Sequence, residues 1–242
     1  MSDVPARSKA TIPIVVAVVA ALIAGVMLLA PALAESGEAP VADVNRAGSR
    51  PPVDPENDPF AHVVRRDPQD PAALGDVDAP VVMINYSEFQ CPFCGKFARD
   101  TKPELVEQFV EDGTLRIEWR HFPYLGPESQ TAAQAGYAAG AQGKFWEFHD
   151  AMYANQQPPN SGRLTEDYLV GVAEGIGLDG ERFREDMTSS EAEAAVKEDF
   201  QEGQSIGVTG TPAFLVNGQP IMGAQPTEVF VEAIEQGAEA AR

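Results

Sequence analysis

Cys91 and Cys94 are the only cysteines in a chain of 242 residues, and only Pro92 and Phe93 separate them. Two thiols at this spacing offer three chemistries: a redox-active pair, half of a zinc site, or inert core residues. A zinc site built on Cys-x-x-Cys needs two more ligands, commonly a second cysteine pair or paired histidines. There is no further cysteine, and His62, His121 and His149 stand singly. Reversible thiol–disulfide chemistry is therefore the reading.

The flanking elements suit that chemistry. Val81–Ser87 is an apolar, β-branched run that predicts a buried strand. Beyond the pair, Phe93, Phe97 and Ala98 fall at helical spacing, so the cysteines lie where a strand turns into the first turn of a helix. Proline is suited to the first helical position, where its missing N–H is not needed. Cys91 then faces the free N–H groups and the positive end of the helix dipole, which favour thiolate over thiol.

With 44% hydrophobic residues the chain can bury a sizeable core, and its net charge of −20 argues against nucleic acid as a partner. Ile12–Ala34 carries no charge and is long enough to span a bilayer, with Arg7 and Lys9 before it and Glu35 and Glu38 after. The positive-inside rule places residues 1–11 in the cytoplasm as a tail and everything after the span outside. Ala32-Leu33-Ala34 also fits a signal-peptidase site, which would release the protein instead. Either route takes the cysteines out of the reducing cytosol.

Residues 35–73, rich in Pro, Asp, Gly and Ala, read mostly as a flexible linker; within them only Ala61-His62-Val63-Val64 is apolar enough for a short edge strand. The folded domain is expected over residues 74–242. Pro103 should kink or split the helix that opens at Cys91. Leu115, Ile117 and Trp119 alternate with charged residues, as in a half-buried strand. Residues from Glu128 to about Gly207 look almost wholly helical, in five helices, the last opened by a capping box at Ser190 and Glu193. Ala213–Val216 and Gln219-Pro220-Ile221, joined by Asn217-Gly218, predict a hairpin, and Thr227 opens a final helix.

Strand, Cys-x-x-Cys at a helix start, second strand, helical insertion, Thr-Pro-led hairpin and terminal helix form an order that resembles the DsbA-like extracytoplasmic thiol–disulfide oxidoreductases. Four stretches carry the likeness: Leu74–Pro80, Glu88–Cys94, Gln142–His149 and Gly207–Phe214. The resemblance implies an α/β thioredoxin-like fold with an inserted helical subdomain at about residues 124–207, preceded by the membrane anchor and linker. It further implies catalytic Cys91 and Cys94, with Cys91 the exposed nucleophile and Cys94 buried. Pro92 and Phe93 would tune the active site, and a cis Thr211–Pro212 bond would hold substrate backbone. Cysteine-containing secreted proteins would be the substrates and a membrane reoxidase the partner, with no metal or organic cofactor required.

Two positions depart from the family's commoner pattern. Asn85, six residues before Cys91, replaces an acid that would handle the proton of Cys94; Glu88 is nearer, but strand alternation puts it on the opposite face. Phe93 stands where the strongest oxidants carry His, which argues against an extreme potential. An isomerase or reductase, and a non-catalytic binding module with a structural disulfide, remain the competing readings.

Overall fold

A computed structural model describes residues 58–242 of the protein. The expected tail 1–11, the apolar segment 12–34 and the linker as far as residue 57 lie outside them. Among the described residues no helix is long and apolar enough to cross a membrane. The centre is a five-stranded sheet of order β1-β3-β2-β4-β5, built from β1 (Ala73–Leu74), β2 (Val81–Ser87), β3 (Leu115–His121), β4 (Ala213–Val216) and β5 (Gln219–Met222). β2 and β3 run parallel; the other pairs are antiparallel. Every residue of β2 is buried, as expected of a central strand covered on both faces.

On one face lie α8 (Thr227–Ala240) and the segment that starts at the cysteines: α1 (Pro92–Lys96), a π-helical turn Phe97–Thr101, α2 (Lys102–Leu105) and a second π-helical turn Val106–Val110. Pro103 has no N–H to continue an α-helical ladder, and the two wide turns on either side take up the break. Val81, Met83, Leu105, Phe214, Phe230 and Ile234 pack here around Phe97, whose ring lies 4.5 Å from Phe214 and 5.2 Å from Phe230. On the other face Val82, Ile84 and Tyr86 meet Phe122 and Val208.

Between β3 and β4 runs the helical insertion: α3 (Pro127–Ala141), α4 (Phe145–Ala154), α5 (Glu166–Gly175), α6 (Gly180–Met187) and α7 (Ser190–Ser205). The small side chains Ala132, Ala135, Ala138 and Ala139 sink fully into its core, against Phe145, Phe148 and Phe183 from neighbouring helices. Thr165 and Asp179 cap α5 and α6 by accepting from Tyr168 N and Arg182 N. α7 is capped one residue earlier than the expected box: Ser189 is the extended residue and accepts from Ala192 N at 3.1 Å, while Ser190 is already helical.

The linker expectation needs correction at its C-terminal end. Residues 58–73 pack on the domain as a strap: Val63 is buried, and the Arg65 and Arg66 amides donate to the Glu118 carboxylate at 3.2 and 2.8 Å. The Arg65 guanidinium pairs with Asp199 at 2.7 Å and Glu202 at 2.9 Å. Ala61–Val63 forms a 3₁₀ turn rather than an edge strand, and the edge position is taken by β1. A strap held by ion pairs to residues far along the chain has no apolar period to reveal it.

Candidate active site

β2 ends at Ser87, and Glu88, Phe89 and Gln90 carry the chain from the C-terminal end of this central strand to Cys91. Cys91 is extended (φ −68°, ψ 119°) and precedes α1, with Pro92 in its first turn. Gly95 N donates to Cys91 O at 3.1 Å, closing that turn. The cysteines belong to the same apolar cluster as Phe89, Trp119, Phe148 and Tyr153, so they sit at the seam between sheet and helical insertion.

The Thr211–Pro212 peptide is cis. It places the Thr211 carbonyl 3.3 Å from Cys91 Sγ, which donates to it as a thiol. The adjoining Pro212 carbonyl accepts from Gly223 N at 2.8 Å, tying the loop to the end of β5. This roof corrects one expectation: Cys91, read as exposed, is only 2% accessible, against 1% for Cys94. Both are free thiols.

Their electrostatics nonetheless diverge. Hydrogen bonding from Cys94 lowers the Cys91 pKa to about 6 against the opposing effect of burial, helped by Thr211 and by the backbone N–H groups of Cys94 and Phe93. The buried Thr211 hydroxyl makes no hydrogen bond of its own and lies near enough to favour the thiolate form of Cys91. Burial pushes Cys94 well above its ordinary value, and the neighbouring Cys91 adds to that. One sulfur is thus set up to ionise and the other to keep its proton.

Several side chains around the sulfurs carry no sequence signature. Gln156, in the loop after α4, donates to the carbonyls of Phe89 (3.0 Å) and Cys91 (2.9 Å), fixing the approach to the pair. Its carbonyl end lies so close to Gly95 that a Cβ there would collide with it. Tyr153 Oη donates to the Glu88 carbonyl at 2.9 Å and lies 3.4 Å from Ser87 Oγ, and the Ser87 hydroxyl also meets Cys94. These groups are polar residues in ordinary-looking loops and helices, and only the fold brings them together. Asn85 is buried in β2 with its Oδ1 unpartnered, in the alternate set of Val81 and Met83 that faces the Phe97 core.

Phe93 (63% exposed), Tyr124 (42%) and Met222 (50%) are the exposed large apolar side chains among the described residues. Phe93 lies between the cysteines, Met222 pairs across the hairpin with Ala213, next to Pro212, and Tyr124 is close enough to Cys91 to feel its charge. His121 and His149 are buried elsewhere: His121 Nδ1 accepts from Trp119 Nε1 at 3.1 Å, and His149 Nδ1 meets Asp150 at 2.7 Å. Among the described residues no three His, Cys, Asp or Glu side chains converge on a metal position.

The arrangement matches known proteins along most of its length. A family model described as "Thioredoxin" covers residues 67–236. The probable disulfide bond formation protein D of Bacillus cereus is 31% identical over 169 residues, covering 68% of this chain and 76% of that protein. A Na(+)/H(+) antiporter NhaA 1 of Salinispora arenicola is 36% identical over 185 residues, 76% of this chain; the chain spans about a quarter of that protein's length. In three dimensions the oxidised BdbD of Bacillus subtilis superposes with a TM-score of 0.66 at 23% identity, over 69% of this chain and 92% of that one. The first of these matches takes in the cysteine pair, the cis-proline loop and the helices between them, and the chain belongs to the thioredoxin family, among its DsbA-like thiol–disulfide oxidoreductases.

Proposed function

We propose that the protein introduces disulfide bonds into secreted or cell-envelope proteins through its Cys-Pro-Phe-Cys site. The observation that carries this reading is the opposite tuning of the two sulfurs. A stabilised Cys91 thiolate favours the reduced pair, and a pair that prefers to be reduced gives its disulfide away. In the oxidised protein a substrate thiolate attacks Cys91 Sγ and Cys94 leaves as a thiolate that takes a proton. A second substrate thiolate then attacks the mixed disulfide, and Cys91 leaves as the stabilised thiolate. Phe93, Tyr124 and Met222 offer apolar contact to an unfolded segment, and the Thr211–Pro212 backbone offers an extended chain a partner. Segment 12–34 would tether the domain to the outer side of a membrane, within reach of a membrane reoxidase that restores the disulfide. No cofactor is called upon.

The equilibrium of the cysteine pair with glutathione tests the direction. A pair much more oxidising than glutathione is expected. A pair well below it supports a reductase or a structural disulfide and removes the oxidase reading. Cys91→Ser should abolish oxidation of a reduced protein substrate, whereas Cys94→Ser should accumulate a mixed disulfide at Cys91.

A further inference from the structure

Glu88 carries a carboxyl group close enough to the active-site sulfur to feel its charge, and its environment is unusual. The residue is 1% exposed, Oε2 accepts from Ser129 Oγ in the first turn of α3, the Gln90 backbone N–H lies near the carboxyl, and Oε1 makes no hydrogen bond. Ser129 also accepts from Gln90 Nε2 at 2.7 Å, so a single neutral hydroxyl is shared between Glu88 and Gln90. The Glu88 carbonyl binds Cys91 N at 3.4 Å and Tyr153 Oη, which locks the residue into the backbone that leads to the nucleophile. A buried carboxylate with an unpartnered oxygen is costly, and costlier beside a Cys91 thiolate, so reducing the pair favours a proton on Glu88.

The groups facing Glu88 offer no compensating positive charge. From the residue before α1 comes Cys91, from the segment after β3 comes Tyr124, and from α4 comes Tyr153, all neutral or negative. The neighbouring carboxylate of Glu128 is turned away, accepting from Gly162 N and Leu164 N. Burial accordingly raises the Glu88 pKa to about 7, the Ser129 hydroxyl and the Gln90 N–H oppose this, and the Cys91 thiolate pushes it further up, the one contribution that disappears when the pair is oxidised. Asn85 cannot share this duty, because an amide takes no proton in this range.

From this placement we infer that Glu88 is a positioning residue that couples proton uptake to reduction of the Cys91–Cys94 disulfide. The inference rests on the redox reading of the pair, though not on the direction of its reaction. When a substrate dithiol reduces the protein, two substrate S–H bonds and the Cys91–Cys94 bond break, and a substrate disulfide forms. The two electrons left by the substrate sulfurs go to Cys91 and Cys94. Of the two protons released, one ends on Cys94 and the other on Glu88, while Cys91 stays a thiolate. The negative charge that was on Glu88 in the oxidised protein has moved to Cys91, and the exchange needs no proton from solvent. On reoxidation the thiolate disappears and Glu88 gives its proton up.

The test is the pH dependence of the glutathione equilibrium for the full chain. Reducing oxidised glutathione consumes two protons. If reduced protein supplies both, the equilibrium constant is nearly flat between pH 6 and 7, the range between the Cys91 and Glu88 values. The wild type should change by less than about threefold across that range, whereas Glu88→Gln, releasing only the Cys94 proton, should fall about fivefold or more. Glu88→Asp should restore the flat profile. Equal slopes in wild type and Glu88→Gln overturn the inference, whatever the absolute position of the equilibrium. That absolute position is what judges the oxidase reading, so the two can fail separately. Should Glu88→Gln not fold, proton release on reducing the wild-type disulfide with a dithiol near pH 6.5 decides the matter. Close to zero protons per disulfide is expected; about three quarters of a proton, the amount left when only Cys94 and the protonated fraction of Cys91 take protons, overturns the coupling.

Discussion

The nucleophile's acidity is distributed among donors that a substitution can remove one at a time. Cys91 owes its depressed pKa first to Cys94, then to the Thr211 hydroxyl and two backbone N–H groups, all working against burial. Thr211→Val keeps the β-branched shape and leaves the backbone carbonyl in place, but takes away the hydroxyl. The Cys91 pKa should then rise by about one unit, which is ~1.4 kcal/mol less stabilisation of the thiolate. Ultraviolet titration of the thiolate in the Cys94→Ala background isolates this effect, since the Cys94 contribution is gone from both proteins. An unchanged midpoint would mean that the hydroxyl does not reach the sulfur. The importance of Cys91 was legible from type and spacing alone, because only two cysteines exist and a strand and helix flank them. The Gln156 amide and the Ser87–Tyr153 pair were not legible, because a polar residue in a loop has no signal until the fold brings it near.

At the scale of elements, the sequence exposed what is periodic and hid what is electrostatic. The all-apolar β2, the Asn217-Gly218 turn with its positive φ values (42° and 79°) and the alanine-rich α3 carry local patterns that match their structure. The alternation of β3 misleads: read as a half-buried strand, it is buried along its whole length, because Arg116 and Arg120 pair with Glu118 under the cover of the strap. The strap of residues 58–73 carries no local pattern. It is held by β3, where Glu118 accepts from Arg116 Nε at 3.0 Å, Arg120 Nη2 at 2.8 Å and two strap amides. Burial alone would raise the Glu118 pKa, but Arg116 and Arg120 hold it below its ordinary value. Such a group stabilises the fold because its partners would otherwise be buried charges without compensation. Glu118→Gln should cost about 3 kcal/mol and loosen the strap, so that trypsin cuts at Arg65 and Arg66 faster than in wild type. If cleavage stays at the wild-type rate while stability falls, the strap is held by its other contacts and Glu118 serves only the sheet.

Across the whole molecule, the buried titratable groups set opposing slopes of stability against pH. His121 and His149 are both depressed by burial, to about 3 and about 4, with Arg65 and Arg120 adding to the first and Lys102 to the second. Unfolded imidazoles take protons below about 6.5, so between there and the folded values the unfolded chain binds more protons, and stability is lost as pH falls. Glu88 has the reverse sign. Its folded value of about 7 lies above that of a free carboxyl, so the native protein holds the extra proton and stability is lost as pH rises toward 7. Asp70 and Asp199, raised by burial, share the sign of Glu88; the two imidazoles, shifted to about 3 and about 4, should still dominate and make the net slope positive. Stability should be greatest at or above about pH 6.5 and decline by a few kcal/mol toward pH 4. His149 is the cleaner probe, because it lies far from the sulfurs in sequence and is boxed by Trp119, Trp146 and Tyr153 at 5.2, 5.0 and 4.8 Å. Denaturant unfolding of His149→Gln from pH 8 to pH 4 should show a shallower acid decline than wild type, even if the variant starts less stable. An equally steep decline would assign the acid sensitivity to His121 and to carboxylates such as Glu118, and would mean that the ring box around His149 admits the charged imidazole without penalty.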